Sequence, residues 1–301
     1  MSERYLTPEL LREWPYDPSP KSFQRVMELN RKLVVKKPIV DGLENRWMLH
    51  KGERPVIAFL HGTSNTDAQI AASVLGKYFN IAIAGWSTNF EMPHMRVGMN
   101  LAGLEQFYPI SVSHRQKSPE KYPDERYTIN PEDYDRLTYA MVEEGKVPMI
   151  AAQRRRYTGE LYRNSGFGAP LLAQLSGSRV VLPVCVDIDY RDVVKGLVDL
   201  PKTVIQNWLR RSRPQSYVYI DEPMRLEPIS YDDLKTMMDV KFGGVKPMGD
   251  QQGRADRTYT LLRSQGDEIL MRVGSHFPPE RQGMWRERIQ AKYPYPLEHQ
   301  T

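Results

Sequence analysis

Short apolar runs and longer amphipathic stretches take turns along most of this chain. The runs KPIVDGL, PVIAFLH, NIAIAGW, FYPISV, VPMIAA and SRVVLPVCVDI are rich in Val, Ile or aromatics and bounded by Gly, Pro or Asn, so they predict strands. Between them TDAQIAASVLGKYF, HMRVGMNLAGL, NPEDYDRLTYAMVEEG and GAPLLAQLSG read as helices. Alternation of this kind predicts a mixed α/β fold with a largely parallel sheet flanked by helices.

The ends of the chain read differently. TPELLREW and PKSFQRVMELNRKLV are helix-like, with Thr7 and Ser19 as expected caps, and Phe23, Val26, Met27 and Leu33 recur at helical spacing in the second. Residues 1–37 are therefore expected to form a helical arm, 38–277 an α/β domain, and 278–301 a loosely ordered tail. A strand-like SYVYIDEPMRL, a glycine-rich KFGGVKPMGDQQGR and a last helix, DRTYTLLRSQGDEILMRVG, close the domain. The polar, proline-containing segment SHRQKSPEKYPDERYTINPED predicts a surface excursion.

Composition narrows the function classes only modestly. The 301 residues carry 42 Lys plus Arg against 37 Asp plus Glu, a net charge of +5 that suits anionic head groups, acyl carriers or nucleic acid without selecting among them. The single Cys185 excludes an intrachain disulfide and a cysteine metal cluster, and points to a reducing compartment. No apolar stretch is long enough to span a membrane, and the N-terminus lacks the apolar core of a signal peptide. A cytoplasmic protein is expected, with membrane contact, if any, peripheral and through the amphipathic arm at residues 20–34. Neither a G-x-x-x-x-G-K-[ST] loop nor a G-x-G-x-x-G turn follows a strand. His50, His94, His114 and His299 have no paired spacing for a metal, so no metal and no bound cofactor is expected.

Two segments could carry chemistry. In PVIAFLHGTSNTD a buried strand ends at His61, and a carboxylate, Asp67, follows. A histidine freed at a strand end can act as a base near neutral pH when a carboxylate holds its tautomer. The same residues also read as a turn in which Thr66 or Asp67 starts the next helix. In AAQRRRYTGELYRNSGFGAPLLAQLSG, Arg154, Arg155 and Arg156 follow an apolar strand, and the guanidinium fork suits phosphate. A solvated basic turn is the competing reading.

In order and spacing these segments resemble the glycerolipid acyltransferases, the glycerol-3-phosphate and lysophosphatidate acyltransferase family. VDGLENRWMLHKGERPVIAFLHGTSNTD is similar to that family's opening block, which ends in N-H-x-x-x-x-D, and EEGKVPMIAAQRRRYTGELYRNSGFG to its F-P-E-G-T-R block. The resemblance covers residues 38–275 and implies transfer of an acyl chain from acyl-CoA or an acyl carrier protein, as co-substrate, to a hydroxyl of lysophosphatidate, glycerol phosphate or another anionic lipid. It implies His61 as base, Asp67 as its partner, Arg155 and Arg115 as phosphate contacts, and Arg154 and Arg156 as supporting ones. Contact with the inner face of a membrane and no nucleic-acid partner go with it.

The departures are specific. Five residues separate His61 from Asp67 where the family has four, Leu60 replaces an asparagine, and Ala152 with Gln153 stands where the motif carries its glutamate. Two other readings remain open: an acyltransferase fold kept for binding lipid or a protein, and an α/β-hydrolase esterase. The last would use PVIAFLHG as an oxyanion strand, GWSTN at 85–89 as an imperfect nucleophile elbow with Asn89 in place of glycine, and His276 as the late histidine.

Overall fold

A computed structural model describes residues 16–50, 53–60, 67–86, 90–91, 93–111, 130–153, 161, 165–188 and 213–294. The elements, in chain order, are α1 (Lys21–Val34), β1 (Ile39–Asp41), β2 (Val56–Phe59), α2 (Asp67–Leu75), β3 (Ile81–Trp86), α3 (Pro93–Ala102), β4 (Phe107–Ile110) and α4 (Pro131–Val142). They continue with β5 (Val147–Ala151), α5 (Gly168–Leu175), β6 (Val180–Ile188), β7 (Ser216–Ile220), β8 (Met224–Arg225), α6 (Tyr231–Lys241), α7 (Gln251–Gly274) and α8 (Arg286–Lys292).

The strands form one sheet in the order β1-β7-β6-β2-β5-β3-β4, with β8 also paired to β6. From β6 to β4 every neighbouring pair is parallel; β7 runs antiparallel to β6, and β1 runs parallel to β7. This is the α/β class that the alternating runs predict. β2 and β6 read as unbroken apolar runs because both faces of the sheet are covered. Val56, Ala58 and Leu60 point into one core and Ile57 and Phe59 into the other, all of them buried.

Helices α1, α2 and α3 cover one face, where Phe23, Met27, Ile70, Leu75 and Ala102 meet Ile57, Phe59 and Leu182. Residues of α4, α5, α6 and α7 cover the other, around Leu137, Leu171, Met237 and Leu270. Caps follow the expected chemistry at two entries: Asn130 accepts from the Glu132 N–H ahead of Pro131, and Ser230 accepts from the Asp233 N–H. The second of these opens α6, which the sequence reading missed, although Leu234, Met237 and Met238 carry a helical period.

Three expectations change. Ser19 does not cap α1. The helix begins after Pro20, and the Ser19 hydroxyl instead donates to the Phe79 carbonyl at 2.8 Å and accepts from the Ile81 N–H at 2.9 Å, tying the chain entry to the start of β3. The apolar side of α1 is not free for a membrane, since Phe23 and Met27 lie in the core; Leu33 departs from them and is exposed. Finally, residues 278–294 are no loose tail: two 3-10 turns and α8 bring Trp285, Ile289 and Gln282 to buried positions. Their apolar spacing is too short to read in sequence, and it is the C-terminal half of α7, around Asp267, Glu268 and Gly274, that receives them. TPELLREW and nearly all of the 113–133 excursion lie outside the described residues.

Candidate functional site

Strand β2 lies between β6 and β5, and the helices after β2 and β5 leave toward opposite faces: α2 joins the α1 layer and α5 the α7 layer. Two adjacent parallel strands whose connections diverge in this way open a crevice at their carboxyl ends, the usual place for a ligand in an open α/β sheet. The strand ends are in register there. Phe59 pairs with Ala151, the Ala152 N–H donates to the Phe59 carbonyl at 2.8 Å, and the Leu60 N–H donates to the Val184 carbonyl at 2.9 Å.

Both sequence-derived segments follow from these ends: His61 comes next after Leu60, and Arg154 next after Gln153. His61 itself, Arg154, Arg155, Arg156 and Arg115 lie outside the described residues. β4, the strand that precedes Arg115 in sequence, is at the far edge of the sheet, three strand spacings or about 14 Å from β2. Of the six candidate residues, Asp67 is the one described.

Asp67 is the first residue of α2 and is fully buried. The first position matches the helix-start reading, but a helix-starting carboxylate is usually solvated, and an ionised one inside a protein needs compensation. The positive end of the α2 dipole supplies part of it. Asp67 is also near enough to Cys185 on β6 for its charge to bear on the thiol. Burial pushes the Cys185 thiol well above its usual value. The carboxylates of Asp187, Asp221 and Asp67 push it the same way, and the guanidinium of Arg281 opposes them. The thiol therefore stays protonated, and Cys185 is not a nucleophile at neutral pH.

On the other strand, the position where the resembling motif has its glutamate is held by Ala152, buried in the α5–α7 core. Gln153 is buried after it and bridges to Ser165. The entry to α5 is tight. The Gly166 N–H donates to the Ala152 carbonyl at 2.7 Å, and a Cβ on Gly266 of α7 would stand 2.6 Å from the Gly166 carbonyl oxygen. Ser165, fully buried, donates to Asp267 Oδ1 at 2.6 Å and so clamps α7 to this loop.

Sequence reading did not foresee a second polar cluster on the same side of β6 and β7. Asp187, Tyr217, Tyr219 and Asp221 alternate toward the α7 side there, opposite in phase to Val218 and Ile220. His276 Nε2 lies 3.1 Å from both Asp221 oxygens, and Arg272 Nε lies 3.2 Å from Oδ1. The His276 ring stacks on Tyr219 with centroids 4.5 Å apart. Arg281 pairs with Asp187 at 2.7 Å and sits over the Phe277 ring. Only the charged residues themselves could have signalled this cluster, since Asp221 and His276 are 55 positions apart.

The position of His276 bears on the hydrolase reading. It lies over β7, whereas Gly85 and Trp86 end β3, four strand spacings or about 19 Å away across the sheet. A nucleophile elbow at the end of β3 is thus remote from this histidine. Among the described residues, no group of three His, Cys, Asp or Glu is arranged to hold a metal ion.

No protein-family model matches the chain, and no curated protein matches it. Among solved structures, the crystal structure of the 1-acyl-sn-glycerophosphate (LPA) acyltransferase PlsC from Thermotoga maritima is similar over 82% of this chain and 79% of that one, with a TM-score of 0.37 and 13% identity. At that level the superposition leaves the functional reading to the residues themselves.

Proposed function

We propose that the chain is an O-acyltransferase that moves an acyl group from a thioester, acyl-CoA or an acyl carrier protein, to a hydroxyl of a phosphorylated or anionic lipid acceptor such as lysophosphatidate or glycerol phosphate. The observation that carries this reading is the pairing of β2 with β5 at the switch point. It starts the His61 loop and the triple-arginine loop from neighbouring strand ends about 4.8 Å apart, with buried Asp67 opening the helix beyond.

In this reaction His61 takes the proton of the acceptor hydroxyl as its oxygen attacks the thioester carbonyl. The C–O bond forms, the C–S bond breaks, and the departing thiolate takes up the proton that His61 carries. Asp67 orients the imidazole and stabilises its charged form. Arg155, supported by Arg154 and Arg156, holds the acceptor phosphate, with Arg115 as a further contact.

A second reading, an acyltransferase fold retained for binding, draws on Ala152. Its side chain is apolar and packed in the core where the motif carries a carboxylate. Thiol release from a panel of acyl-CoAs and acyl carrier proteins, with lysolipid and glycerol phosphate acceptors, separates the two. Acceptor-dependent release that falls by roughly 100-fold or more in His61→Ala supports transfer. Absence of turnover across the panel, with lipid binding unchanged in the variant, assigns the fold to binding.

A further inference from the structure

Strand β6 outruns the strand beside it. Its pairing with β2 ends at Val184, opposite Phe59, while residues 185–188 continue in register with β7. Asp187 stands three residues, roughly 10 Å, past that last pair, and shares the α7 side of β6 with Cys185. β6 thus carries a carboxylate beyond the strand end that His61 follows.

Arg281 meets that carboxylate. It ends the 3-10 turn Pro279–Arg281, its Nη1 lies 2.7 Å from Asp187 Oδ1, and its guanidinium lies 3.9 Å from the centre of the fully buried Phe277 ring. The two charged side chains are only 21% and 19% exposed. An ion pair withdrawn this far from water adds little net stability over an apolar pair of the same shape, because desolvation offsets the attraction. What it can fix is one geometry.

The backbone of the same residue holds a second segment. The Leu161 N–H donates to the Arg281 carbonyl at 2.9 Å, and the buried Leu161 side chain packs so closely on α7 that a Cβ on Gly274 would collide with it. Leu161 comes five residues after Arg156. The segment that carries Arg154, Arg155 and Arg156 therefore starts from β5, where the Ala152 N–H is bonded to Phe59 of β2, and leads to a residue fastened to Arg281. Arg281 lies outside residues 38–275, the stretch that carries the family resemblance, so no motif points to it.

We propose that Arg281 is a positioning residue for the acceptor phosphate: by gripping Asp187 with its side chain and Leu161 with its carbonyl, it fixes where the arginine segment ends relative to β6. This rests on the reading of Arg155 as a phosphate contact. Arg281 acts through Leu161 rather than on the reacting atoms, so its loss should weaken acceptor binding and leave the transfer step itself alone.

The test compares wild type, Arg281→Gln, Asp187→Asn and the double variant in three measurements. These are hydrogen exchange at the Leu161 amide, binding of glycerol 3-phosphate and of lysophosphatidate, and thiol release from acyl-CoA with the same two acceptors. In each variant the Leu161 amide should exchange roughly tenfold faster, and Kd and KM for the acceptor should rise roughly tenfold with kcat within about twofold. The double variant should do no worse than either single one, the mark of a shared contact. Arg281→Lys keeps the charge but not the planar stack, and should recover part of the affinity. Lys292→Gln breaks the ion pair with Glu268 in the same C-terminal segment and should move none of the three. Circular dichroism checks folding, and Asp187→Asn decides alone if Arg281→Gln does not fold. Unchanged exchange at Leu161, or faster exchange with unchanged affinity, overturns the proposal. A wild type that binds either acceptor without thiol release overturns acyl transfer and leaves this proposal to exchange and binding. One that binds neither overturns both.

Discussion

Asp221 holds His276 from one side, with both carboxylate oxygens 3.1 Å from Nε2, while Tyr219 stacks on the ring from another at 4.5 Å. Arg272 adds a third contact to the same carboxylate. The C-terminal end of α7 is thereby fastened to β7. Asp221→Asn should cost about 2 kcal/mol, below the range for a fully buried pair because Arg272 and His276 keep some solvent. Urea unfolding of the variant against wild type measures it.

Close approach of α7 to the loop before α5 sets a second expectation. A Cβ at position 266 would stand 2.6 Å from a backbone oxygen, whereas one at 168 would meet chiefly the end of the Ile150 side chain at 2.7 Å. A backbone cannot give way as a side-chain tip can. Gly266→Ala should therefore lose about 2 kcal/mol and Gly168→Ala distinctly less, as thermal unfolding would show.

Stability should decline in alkali. Burial raises Cys185 well above 9.0, and burial followed by the charge of Asp133 raises Tyr134 above 10.0. Each holds its proton more tightly folded than unfolded, so its contribution is complete below the unfolded value and is lost as pH climbs from there toward the folded one. Unfolding free energy should begin to fall near pH 9 and fall more steeply past 10. Cys185→Ala should flatten the first part of that slope. In the native state Cys185 should also resist alkylation at pH 8 until denaturant is added.

Trp285 tests the C-terminal segment. It is buried, and Ile289 beside it is fully buried against the α7 layer. Trp285→Ala should cost about 3 kcal/mol, and removal of residues 278–301 should destabilise the domain rather than leave it unchanged. A truncated chain with wild-type unfolding behaviour would return this segment to the status of a tail.

The elements of the sheet were legible in the chain because strands buried on both faces need continuous apolar runs, and PVIAFL and VVLPVCV satisfy that condition locally. Helix entries at Asn130 and Gly168 were likewise legible, since caps and close approaches select particular residues. That His61 follows β2 closely was also written in the order of residues. The sequence did not determine which strands became neighbours. The order β6-β2-β5 sets side by side the strand ends that precede the histidine and arginine segments, and it follows from how the connecting helices pack on opposite faces, a property of the whole core. Nor could sequence show that Ala152 points into the α5–α7 layer, that Asp67 is fully buried, or that Asp221 and His276 meet. Each depends on contacts between residues distant in the chain, and only the packed sheet and its two helical layers bring them together.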